Sequence, residues 1–177
     1  MALIKRMAFF EKILALLVLV SLFACPLACA SDGDLGITVE ELLSGMSESL
    51  APYSAIGMPC YPLDFTEKDL TSNTVLKLLT RHTSISIRQQ DGVVKSFKIV
   101  SDEDKGDDSD NRTHEIMITS VCAMLLVNGG FNNDDAVSIL TEMVTDKQPH
   151  VYGNVSYRFV TGAPFTTVVA LEVTPAE

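Results

Sequence analysis

Six carboxylates fall within the ten residues after Ser101, in Ser101-Asp-Glu-Asp-Lys-Gly-Asp-Asp-Ser-Asp-Asn111. Closely spaced acids together with backbone carbonyls are the ligands that a hard cation such as calcium takes. The spacing departs from the twelve-residue calcium loop. A loop opening at Asp102 needs glycine at its sixth position and glutamate at its twelfth, and Asp107 and Thr113 stand there instead. The run is therefore expected to be a solvated connector, with weak calcium binding as the alternative. Three histidines, His82, His114 and His150, lie far apart at the ends of expected elements, which argues against a shared metal site. No nucleophile elbow, HExxH pair or glycine-rich phosphate loop occurs. With no nucleophile set beside a base, no catalytic, cofactor or metal residue is assigned, and the chain is not expected to be an enzyme.

The elements that carry these residues begin with a leader. Lys5, Arg6 and Lys12 make a basic start, Ile13 to Ala24 is apolar except for Ser21, and Ala28-Cys29-Ala30 offers small residues to a signal peptidase. This pattern predicts a signal peptide spanning 1–30 and an exported chain, secreted or held in the periplasm or cell envelope. Leu22-Phe23-Ala24-Cys25 resembles a lipoprotein lipobox, apart from Phe23 where a small residue is usual, so a lipid anchor at Cys25 is the alternative.

Cleavage after Ala30 would leave residues 31–177, the size of a single domain. The whole chain carries 13 basic and 23 acidic residues; removing the leader's three and one leaves 10 and 22, a net charge of −12. So acidic a protein lacks the Lys and Arg clusters that bind phosphates, which excludes nucleic acid as a partner. Two cysteines remain, Cys60 and Cys122, and in an oxidising compartment an even pair is read as one disulfide. Closing so long a loop would contribute about 3 to 4 kcal/mol.

Along the mature chain, Thr38 and Glu41 form a capping box, with Ile37 and Leu42 as a hydrophobic staple. The helix they open carries Val39, Leu42, Leu43, Met46 and Leu50 on one stripe, and Pro52 limits it. Residues 52–73 are irregular, and Tyr53 and Tyr61 are the candidate rim of a ligand groove. From Thr74 the apolar period becomes two. Strands are expected over 74–80, 84–90 and 93–100, with Asp91-Gly92 as a hairpin turn and Phe97 and Ile99 on the core face. A buried helix follows over 115–127, with Ile118, Val121, Cys122 and Leu125 on one face. It is too short to cross a bilayer, which takes about 20 apolar residues. A second helix capped near Asn132 has Val137, Leu140, Met143 and Val144 as its inner stripe, and strands close the chain over 151–160 and 165–173.

The expected fold class is α+β: a three-strand meander plus a C-terminal hairpin, packed by an N-terminal helix and a central helical hairpin. The expected function is that of an exported, soluble, non-catalytic binding or interaction domain, its partner an unidentified protein or small ligand. The alternative is a small-ligand or calcium-binding protein of the cell envelope.

Overall fold

The computed structural model describes residues 33–54, 57, 73–102, 109–161 and 168–176. Its elements are α1 (Val39–Ser54), β1 (Thr74–Leu78), β2 (Thr83–Gln90), β3 (Val93–Asp102), α2 (Ser109–Val127), α3 (Asn133–Asp146), β4 (His150–Tyr152), β5 (Val155–Thr161) and β6 (Val168–Pro175). The strands form one open antiparallel sheet in the order β1-β2-β3-β6-β5-β4. This is the α+β fold expected. The meander and the C-terminal hairpin are joined edge to edge where β6 pairs with β3, from Phe97 opposite Val173 to Asp102 opposite Val168.

The entry to α1 follows the sequence closely. The Glu41 amide donates to Thr38 Oγ1 at 3.1 Å, and the Thr38 amide donates to Glu41 Oε2 at 2.9 Å. Accepting that amide holds the Glu41 carboxyl below its usual range. Just before the helix, the chain is stitched to the start of β3: the Leu35 amide reaches the Val94 carbonyl and the Val94 amide reaches the Ile37 carbonyl, both at 2.9 Å. Pro52 does not end the helix, which runs two residues further and buries Tyr53. Gly45 does more than weaken the helix, because a Cβ built there would lie 2.7 Å from Leu126 Cδ2. A larger residue there would have to displace the tip of the Leu126 side chain, so glycine suits the contact between α1 and α2.

Two local features shift the faces of the strands. Asp91 and Gly92 both take positive φ, 53° and 80°, as a two-residue hairpin turn of the primed kind requires. Beyond it, Gln89 pairs with Val94 while Arg88 pairs with Ser96, so Lys95 is the extra residue of a β-bulge. Alternation therefore slips there. Phe97 and Ile99 face the core as expected, but Val94, not Val93 or Lys95, continues that face. At the other end of the sheet, the stretch expected as one strand over 151–160 is two. Gly153 takes φ +61° and turns β4 back on β5, with Tyr152 opposite Val155. A Gly-X pair is a hairpin turn in its own right, and here it overrides the apolar alternation on either side.

The helices form one layer. α2 starts at Ser109, six residues before the expected 115, and touches α1, α3 and the sheet. α3 is capped by Asn132, whose Oδ1 accepts the Asp135 amide at 2.9 Å, and closes on Lys147 in the left-handed region. Its buried stripe is Ala136, Ile139, Leu140 and Met143: Leu140 and Met143 face inward as expected, while Ala136 and Ile139 complete the stripe and Val137 and Val144 are exposed. Ala136 tips the choice, since a small residue suits the side pressed against a neighbouring element. Buried residues of all three helices join one apolar cluster with Val75, Ile85, Ile87, Phe97, Ile99, Leu171 and Val173 of the sheet.

Candidate functional site

The register divides the sheet's side chains between two faces, and each face holds a group of residues with chemistry. On the helix-covered face, the turn between β1 and β2 meets the first half of α2. Glu115 is 3% exposed, and its Oε2 accepts the Thr80 hydroxyl at 2.5 Å and the His82 amide at 3.2 Å. The Thr83 amide donates to Thr80 Oγ1 at 3.1 Å, and the Thr119 hydroxyl donates to the Glu115 carbonyl at 2.7 Å. The ring of His82 stands at the rim, its Nδ1 3.4 Å from Glu115 Oε2 but outside hydrogen-bond geometry. Thr83 sits directly opposite Ser101, and both hydroxyls are fully buried without a hydrogen-bond partner. A buried carboxylate is tolerated when its oxygens are hydrogen-bonded, and here the donors come from a turn of a different element. The arrangement is a clamp that fixes the β1–β2 turn on α2.

The opposite face is a grid. One row crosses five strands as Leu78, Ser84, Val100, Ala170 and Val160; the next runs Leu76, Ser86, Lys98, Glu172 and Arg158. Beyond these stand Thr74, Arg88, Ser96, Ser156 and Thr174, with Val151 on the β4 edge, 57% exposed. Among the described residues no helix belongs to this side, since their buried side chains join the cluster on the other. Lys98 Nζ lies 2.9 Å from Glu172 Oε1, both side chains part-exposed. Arg88 and Arg158 are exposed and form no ion pair among the described residues. The face therefore offers hydroxyls, guanidinium groups and a strip of aliphatic surface side by side.

The sequence-predicted sites fall differently. Cys122 is 2% exposed on α2, and its expected disulfide partner Cys60 lies outside the described residues. So do residues 1–30 with Cys25, Tyr61, and residues 103–108 of the acidic run. Of that run, Asp102 ends β3 and Ser109 to Asn111 begin α2. Tyr53 is fully buried, which removes it from the rim of any groove. The histidines stay apart: His82 in the β1–β2 turn, His114 on α2, and His150 beside Asp146, with Nε2 2.8 Å from Oδ2. That ring and the Gln148 amide keep Asp146 below the usual carboxylate range, the amide having the larger effect. No group of three or more His, Cys, Asp or Glu among the described residues is placed to hold a metal ion.

A third cluster is structural. Phe131, Tyr152 and Tyr157 pack with ring centres 5.3 to 6.4 Å apart and join the α2–α3 connection to the β4–β5 hairpin. Burial pushes the Tyr157 phenol well up.

Comparison with protein-family models, with curated proteins and with solved structures gives no match. The two faces of the sheet differ in what their sequences reveal. The strict alternation of Ser84, Ser86 and Arg88 against Ile85 and Ile87 already marks the open face in the sequence. Glu115 carries no such signal, because it opens an apolar run and reads as the polar start of a helix.

Proposed function

We propose that this chain is an exported, non-catalytic binding module whose partner docks on the open face of the sheet. One observation carries the reading. The helices bury one face, while the other presents exposed Arg88 and Arg158 beside half-buried Leu76, Leu78, Val100 and Val160. Guanidinium groups beside aliphatic surface are what protein interfaces favour, since arginine pairs with acids at little entropic cost while the apolar strip excludes water. A sheet needs only one buried face to fold, so the composition of the second is free to serve recognition. Export rests on the leader pattern over 1–30. The Cys60–Cys122 bridge belongs to the same reading, as a staple suited to an oxidising compartment.

Photocrosslinking in the native host tests it. A crosslinking residue at Ser86 or Ser156, both on the open face, is expected to capture a discrete partner. The same residue at Arg81, exposed in the β1–β2 turn, is expected to capture little. Equal capture from all three positions, or none from any, overturns the reading. Retention of a small molecule or calcium by the purified protein, with no crosslink, would support the ligand-binding alternative in its place.

A further inference from the structure

The two sides of the molecule differ in charge as well as in cover. On the helix layer, Glu40, Glu41 and Glu48 of α1 and Asp134, Asp135, Glu142 and Asp146 of α3 are all exposed. Lys147, at the end of α3, is the one exposed lysine or arginine that these two helices and their caps contribute among the described residues. The open sheet face reverses this. Among its described side chains it carries Arg88, Lys98 and Arg158 against Glu172, with Asp102 at the end of β3 next in register on that face, and the Lys98–Glu172 pair leaves the two arginines, on β2 and β5, without an ion-pair partner among the described residues. In a chain of net charge −10, a basic face is the exception and calls for a complement.

We propose that the occupant of the open face is a second copy of this chain, seated with its acidic helix layer against Arg88 and Arg158. The inference rests on the reading of the open face as a docking surface and names the partner. Charge complementarity selects it: the acidic surface that fits is present on every copy, and Val137 and Val144, 41% and 40% exposed on α3, accompany the acids as Leu76, Leu78, Val100 and Val160 accompany the arginines. Two different surfaces meet, so the contact is heterologous and each copy keeps one surface for the next. The size of the face sets its strength. Five strands about 4.8 Å apart, over about seven residues of about 3.3 Å each, give about 550 Å² per partner, near the small end of specific interfaces. Association is therefore weak and reversible. It also falls with salt, because the screening length contracts from about 30 Å at 0.01 M to about 8 Å at physiological ionic strength.

Sedimentation velocity on the protein purified from its host, across a concentration series at low and at physiological salt, tests this. The average mass is expected to rise with concentration at low salt and to return towards the monomer as salt is added. Arg88→Glu with Arg158→Glu changes the sheet face, and Glu48→Lys with Glu142→Lys changes the helix layer; all four positions are exposed, and none is a capping residue. Each double variant alone is expected to stay monomeric, and an equal mixture of the two to associate again. A wild-type protein that is monomeric throughout, or association that either double variant retains, overturns the proposal. The mass of the adduct captured from Ser86 separates this failure from that of the wider reading. An adduct with the chain itself supports the inference. An adduct with a different protein, or with lipid, leaves the docking face standing and removes the second copy from it, while no adduct removes both.

Discussion

Ile99 and Val100 are neighbours on β3, yet they live in different solvents. Ile99 is fully buried under the helix layer, and Val100 stands half-buried in a row of aliphatic and hydroxyl side chains on the open face. The same contrast recurs for charge, in Glu115 buried between α2 and the β1–β2 turn and Glu172 beside Lys98, and for hydroxyls, in Thr83 and Ser84. One backbone thus holds matched pairs whose members differ chiefly in cover. The covered member decides stability. The open member is released from that duty, and on the proposed reading it serves docking.

The apolar pair gives the largest expected difference. Ile99→Ala removes three buried carbons from a site that cannot fully collapse and should cost about 3 to 4 kcal/mol. Val100→Ala should cost about 1 kcal/mol or less, as its surroundings are already shared with water. Urea unfolding of the two variants measures both. Equal losses would mean that the second face is buried in the native protein as deeply as the first.

The charged pair comes next. Glu115→Ala leaves the Thr80 hydroxyl and the His82 amide without their acceptor in a buried setting and should cost about 2 to 3 kcal/mol. Glu172→Ala breaks an ion pair at 2.9 Å, but its side chains are 42% and 33% exposed, so screening by water holds the expected loss to about 0.5 kcal/mol. Thermal unfolding under identical conditions ranks them. A loss at Glu172 that matched the one at Glu115 would show the open-face pair to be a structural anchor and not part of a docking surface.

How far these differences are legible in the sequence depends on what carries them. The period-two alternation of β2 identifies both faces, because Ile85 and Ile87 can point only one way. The capping boxes at Thr38 and Asn132 are local, and they appear where the residue types put them. The registers that slipped did so where a non-local contact or a turn outweighed the pattern. The β-bulge at Lys95 exchanges Val93 for Val94, and there Val94 exchanges backbone hydrogen bonds with Leu35 and Ile37 while Lys95 stands 3.7 Å from Asp34, all in the chain segment before α1. On α3, Val137 and Val144 were one position from the stripe that the neighbouring elements select. The Glu115 clamp was invisible for the same reason: its donors come from Thr80 and His82, more than thirty residues away in the chain, and no spacing within a helix announces them. The charge asymmetry between helix layer and sheet lay in plain composition, but only the register sorts Arg88, Lys98 and Arg158 onto one side.

The hydroxyl pair is the smallest effect and reverses the sign. Thr83 Oγ1 is fully buried opposite Ser101 with no acceptor or donor in reach, whereas the Thr83 amide is already satisfied by Thr80. Replacing that hydroxyl with a methyl group of nearly the same shape keeps the β-branched side chain that a strand favours and removes a polar group denied any partner. Thr83→Val is therefore expected to stabilise the protein by about 1 kcal/mol, while Ser84→Ala, one residue along and half-exposed, should change stability by less than about 0.5 kcal/mol. Urea midpoints at constant slope measure both changes. Destabilisation by Thr83→Val would show that the Thr83 and Ser101 hydroxyls share a buried water whose hydrogen bonds the valine removes. The covered face would then hold a hydrated polar pocket beside Glu115, and the division of labour between the two faces would be less sharp than the matched pairs suggest.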